Sequence, residues 1–154
     1  MTRSAPRSRN GILARRGFLL GASALGAVTW AGVAHAGSYL NRAALLLQQG
    51  RRESDALRSH FGDKELARLI QKMASARLEA AGTMLVPKEV VQAHPHLLLV
   101  FENYERGADA AVKGQVERFL VYSQRAQDEE RTFRAVLKQH GWELKEKNNK
   151  DRAG

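Results

Sequence analysis

From Ser38 to Gly141 apolar residues recur at steps of three and four, the spacing of one helix face. Leu40, Ala43, Leu47, Gly50, Ser54, Leu57 and Phe61 form the first such stripe. Gly62 is placed to stop that helix, and Asp63 to cap the next. Leu66, Leu69, Ile70, Met73, Ala76 and Ala80 predict the core face of a second helix, ended by Gly82. The short gap between the two predicts an antiparallel hairpin. The rhythm breaks over "GTMLVPKEVVQAHPH", where Pro87 and Pro95 each suit a first helical turn and would disturb an interior. A connector from Gly82 to Val86 and a short helix from Pro87 are expected there, with a break or kink at Pro95. A third helix carries Leu97, Phe101, Tyr104, Ala108 and Ala111, and the chain turns again near Lys113-Gly114. The fourth stripe is the most regular: Val116, Phe119, Ser123, Ala126, Glu130, Phe133, Leu137 and His140. Gly141 fits a left-handed helix end, with Trp142 folding back on Leu137. Four amphipathic helices with short connections predict an all-α, antiparallel up-down four-helix bundle over residues 37–142. Residues 143–154, "ELKEKNNKDRAG", lack apolar periodicity and read as a flexible polar tail.

Residues 1–36 follow a different pattern. The first 16 are polar and basic, and residues 17–34 are uncharged and rich in Gly and Ala. Ala34-His35-Ala36 then gives a small-x-small step. Basic flank, apolar segment and small-residue junction are the three parts of an export signal, with cleavage expected after Ala36. "ARRGFLL" resembles the twin-arginine signal family: Arg15 and Arg16 form the pair, and Phe18 and Leu19 fill the large apolar positions after it. Ala14 and Leu20 stand where the family usually has Ser or Thr and often Lys. The resemblance covers only this leader. It implies recognition by the twin-arginine translocase, folding before export, and a periplasmic or extracellular destination in a bacterium. The general secretory route is the second way out. The competing arrangement is a retained anchor, since 25 uncharged residues from Gly17 to Asn41 exceed the roughly 20 that a span needs. Gly17 and Gly21 would give it a small-xxx-small pair. Weak hydrophobicity and the junction favour cleavage, so membrane contact is expected through the leader alone.

Charge changes the picture less than its total suggests. The formal net charge is +9, but five arginines precede residue 17 with no acid among them. The remaining 20 Lys/Arg face all 16 Asp/Glu from Gly37 onward, a mixed-charge surface and not the basic face that nucleic acid requires. The absence of cysteine excludes disulfides, thiolate zinc sites, cysteine-ligated iron–sulfur clusters and thioether-linked haem.

Candidate chemistry is sparse. His94 and His96 flank Pro95 and are the best candidates for haem or a divalent metal, with Glu102, Glu105 or Asp109 a turn or more away. The Glu-x-x-His pairs of bundle metal sites are missing, and His94 also fits a hydrogen-bonded histidine at the end of its stripe. Glu130 lies in an apolar face with Ser123 two turns earlier and Tyr104 available on the preceding helix. Such a carboxylate can transfer protons, pair with Arg134 at i+4, or fix helix register. Gly50 and Ser54 permit close helix approach or a small pocket. No residue qualifies as an enzyme nucleophile, and no Ser-His-Asp ordering, phosphate loop or HExxH occurs. The core requires no cofactor. The reading that follows is an exported binding or accessory bundle of the cell envelope acting through a protein partner, with a haem- or metal-binding bundle as the alternative.

Overall fold

A computed structural model describes the backbone of residues 27–145 and the side chains from Ala36 onward. Four α-helices follow one another: α1 Ala27–Ser59, α2 Lys64–Gly82, α3 His94–Val112 and α4 Val116–Gln139. A single 3-10 turn, Lys88–Val90, lies between α2 and α3. The described residues contain no strand, and the helices pack as a four-helix bundle. Among them no helix is long and apolar enough to cross a membrane.

The helix ends are built by local chemistry. The Asp63 side chain accepts from the Leu66 backbone N–H at 2.9 Å and caps α2. The connector turns at Pro87, and Pro95 falls in the first turn of α3, where its missing N–H costs nothing; no kink results. Gly114 (φ 70°) and Gly141 (φ 78°) end α3 and α4 in the left-handed region. Gln115 N–H donates to Ala110 C=O and Gly114 N–H to Ala111 C=O; Trp142 and Gly141 repeat this with Leu137 and Lys138. Both are Schellman closures, and Trp142 packs back on the cluster that holds Leu137.

The stripes of α1 and α3 pack as the spacing predicts, and that of α4 does so from Phe119 to Leu137, with Val116 and His140 exposed at its ends; α2 corrects the remaining one. Its buried face is Ala67, Ile70, Ala74, Arg77 and Ala81. Leu69 and Met73 are 56% and 44% exposed, and Ala76 and Ala80 also face outward. The physical reason is the partner helix. α2 lies closely along α3, whose buried face includes Gly107, Ala108, Ala110 and Ala111. Small residues on both sides favour close approach, and Ala67, Ala74 and Ala81 enter the seam with Ile70 and Arg77 in place of Leu69 and Met73.

α1 is longer than expected. It begins at Ala27 and continues through Ala34–Ala36 without interruption, and Ala36 is fully buried. The other described core residues of α1, from Tyr39 to Leu57, follow that junction, and the part of α1 beyond it is comparable to the 24 residues of α4. Arg15, Arg16, Phe18 and Leu19 lie outside the described residues, as does the tail beyond residue 145. Glu143 to Lys145 carry no regular structure.

A candidate functional site in the polar layer at mid-bundle

The core is divided. Near the α2–α3 connector, Tyr39, Leu47, Leu97, Phe101, Phe133 and Leu137 belong to one apolar cluster. Towards the other end, Leu57, Ala67, Ile70, Ala108, Ala111 and Phe119 form a second. Between them lie Gly50 to Ser54 of α1, Arg77 of α2 and Ser123 of α4. On the side of the first cluster this polar layer extends to Tyr104, itself a member of that cluster, and to Glu130, flanked by its Ala126 and Phe133. This layer is the candidate site.

Two ion-pair groups occupy it. Glu130, 6% exposed, accepts through Oε1 from Arg134 Nε and Nη2 at 2.9 and 2.8 Å, and Arg51 Nη2 lies 3.3 Å from the same oxygen. The i,i+4 pair with Arg134 follows from sequence spacing, whereas Arg51 arrives from α1 through the fold. On the other side Arg77, 5% exposed, pairs with Glu53 of α1. Among the described residues Arg77 Nε and Nη1 and Glu53 Oε2 are buried without a hydrogen-bond partner. That pair was missed in the sequence, although a signal existed: Arg77 stands three residues after Ala74 and four before Ala81, on the small-residue stripe of α2.

Gly50 and Tyr104 explain how α1 and α3 close over this layer. A Cβ at Gly50 would meet Tyr104 Cδ2 at 2.9 Å and Cε2 at 3.0 Å, so the ring occupies the space that a side chain would need. Burial pushes the Tyr104 hydroxyl well above its ordinary pKa, and the Glu130 carboxylate adds to the rise, against opposition from Arg51. It is therefore a neutral phenol and not a poised base. Ser54 and Ser123 share a hydrogen bond at 3.3 Å between α1 and α4. Beside them a cavity of about 10 Å³, lined by Gly50, Glu53, Ser54, Tyr104 and Ser123 among others, matches one water in size.

The histidines do not join this layer or each other. His94 Nδ1 lies 3.0 Å from the Tyr39 hydroxyl of α1, with the rings edge-on at 5.8 Å. His96, two residues on and turned away by the helix, sets Nδ1 2.9 Å from Glu129 Oε2 of α4. Burial lowers the His94 pKa, which favours the neutral ring, and raises that of Tyr39. The pair suggested as a haem or metal site thus points to two separate partners. Among the described residues no group of three or more His, Asp or Glu is arranged around a common point for a metal ion. His94 and Glu130 do not converge either: one clasps α1 at the bundle end, the other sits in the mid-layer. A wider groove of about 380 Å³ opens between Ser38 to Arg42 of α1 and the connector, lined by Tyr39, Arg42, Met84, Val86 and Lys88 among others.

Compared with protein families, curated proteins and solved structures, the chain matches none.

Proposed function

We propose that this chain is an exported binding or accessory bundle of the cell envelope that acts through a protein partner. One observation carries the reading: the buried charges are answered within the chain, while large apolar side chains stand outside it. Glu130 is engaged by two arginines and Arg77 by Glu53, an arrangement suited to fixing helix register. On the outer side of α4, Val116, Leu120 and Val121 are each close to half exposed among Arg118, Gln124 and Arg125. Apolar groups with a charged rim are the anatomy of a protein interface. The basic flank, apolar segment and Ala34-His35-Ala36 junction supply the export half of the proposal. Trimming there leaves the core residues from Tyr39 onward in place.

The test follows the chain in a bacterial host. Fractionation should recover a periplasmic form whose N-terminal sequence begins at Gly37. Arg15→Lys with Arg16→Lys should hold the precursor in the cytoplasm. A photo-crosslinking residue at Leu120 should then give a discrete adduct in the envelope fraction. Recovery of an intact, cytoplasmic chain starting at Met1 would refute export. Absence of an adduct from Leu120 would refute the assigned surface.

A further inference from the structure

The outward stripe of α2 has the composition of a helix-pairing seam. Leu66, Leu69, Met73, Ala76 and Ala80 recur at steps of three, four, three and four, and the last four are exposed. This is an a/d pattern, and along one flank Glu65, Lys72 and Glu79 recur every seven residues, at the g positions. All three charged residues are exposed. Arg77, on the opposite flank, is buried against Glu53 and belongs to the bundle. From Leu69 to Ala80 the seam is therefore separate from the face that α2 presents to α1 and α3, whereas Leu66 also packs on the second core cluster.

The geometry points to a second copy of this chain as its occupant, docked through α2 against α2 in antiparallel sense about a two-fold axis. Two complementarities select that arrangement. The first is size. In antiparallel pairing, a positions meet d positions of the other helix. The register that sets Leu69 on Ala80 of the second copy also sets Met73 on its Ala76, and the two-fold repeats both contacts. A large side chain meets an alanine each time. The second is charge. Antiparallel pairing brings one g flank against the other, and the same register places Lys72 within about 3 Å, along the axis, of Glu79 of the second copy. Glu79 meets the other Lys72 by symmetry. Parallel pairing would separate the two g flanks and lose both contacts. The interface is isologous and closes on itself. It is small beside a standard interface of about 800 Å² per partner, so the dimer dissociates readily on dilution.

Sedimentation velocity of the full chain over a concentration series tests the proposal, with circular dichroism melts to establish that each variant is folded. The wild-type chain should move from monomer to dimer as concentration rises. Met73→Glu, at an exposed site, should remain folded and monomeric throughout. Lys72→Glu should raise the dissociation constant about tenfold, by turning two attractive contacts into repulsive ones. Lys72→Glu combined with Glu79→Lys should restore the wild-type value. The chain has no cysteine, so Ala76→Cys introduces a single thiol near the two-fold axis, which oxidation should convert to a covalent dimer. A wild-type monomer at every concentration would overturn the proposal. So would association untouched by Met73→Glu, or a folded charge-swapped variant that fails to recover.

Discussion

Gly50 carries a tight contact in the bundle, and its role separates from helix propensity by comparison with Gly37. Both glycines lie inside α1, but nothing stands within 4 Å of a Cβ at Gly37, whereas at Gly50 the Tyr104 ring would be struck. Gly→Ala gains about 1 kcal/mol of helix propensity at either site. At Gly50 the overpacking cost of about 1–3 kcal/mol opposes it. Urea unfolding of the full chain should therefore show Gly37→Ala stabilised by about 0.5–1 kcal/mol and Gly50→Ala destabilised by about 1 kcal/mol. The Glu53–Arg77 pair makes a second residue-scale prediction. Arg77→Leu strands a largely buried carboxylate and should cost about 3–5 kcal/mol. Adding Glu53→Leu should recover most of that loss, because it removes the orphaned charge. A double variant no more stable than Arg77→Leu alone would mean that the pair, and not desolvation of its remnant, holds α1 on α2.

At the scale of the element, the caps were legible in the sequence and one packing face was not. Asp63, Pro95, Gly114 and Gly141 act locally, through a side-chain oxygen, a fixed φ or a left-handed φ, so the sequence neighbourhood alone places them. Gly141→Ala should cost about 1 kcal/mol in the same unfolding assay, since φ 78° is strained for any side chain. The face of α2 depends instead on what lies opposite. A reading weighted by side-chain size selects Leu69 and Met73, whereas the small residues of α3 select Ala67, Ala74 and Ala81. Arg77 was hidden for the same reason, its partner Glu53 lying 24 residues away. Glu130 and Tyr104 were legible as polar members of apolar stripes, while the part of Arg51 needed the fold. The Tyr39–His94 clasp between α1 and α3 adds a pH dependence with a defined sign. Burial depresses the folded pKa of His94 below its unfolded value near 6.5, so folding favours the neutral ring. Its contribution is complete above about pH 6.5 and is lost as pH falls from there through the folded pKa. The difference in stability between wild type and His94→Gln should accordingly narrow on acidification across that window. A difference independent of pH would show that the imidazole is not the titrating partner.

For the whole molecule, the division of the core into two apolar clusters around a polar layer bears on which length of chain the fold requires. Among the described side chains, those that α1 gives to the two clusters run from Tyr39 onward, and the polar layer begins at Gly50. Ala36, the first residue whose side chain is described, is buried, and Ala is the smallest side chain that can add to a core. A chain beginning at Gly37 therefore keeps the Tyr39–His94 clasp, the Gly50–Tyr104 contact and both ion-pair groups. Its thermal midpoint should stay within about 4–8 °C of the full chain, the shift that about 1 kcal/mol produces in a domain near this size. Deletion to Ala43 should instead remove Tyr39 and Leu40 from the first cluster and lower stability by several kcal/mol, with about 1.5–3 kcal/mol for each large buried side chain lost. The two truncations bracket a boundary. If the shorter deletion already melted the bundle, α1 upstream of Gly37 would be part of the folded unit, and a leader removed at Ala36 would be incompatible with the fold. If both truncations were tolerated, Tyr39 and Leu40 would not be the anchor of α1, and Leu47, Leu57 and the mid-bundle ion pairs would suffice to hold that helix.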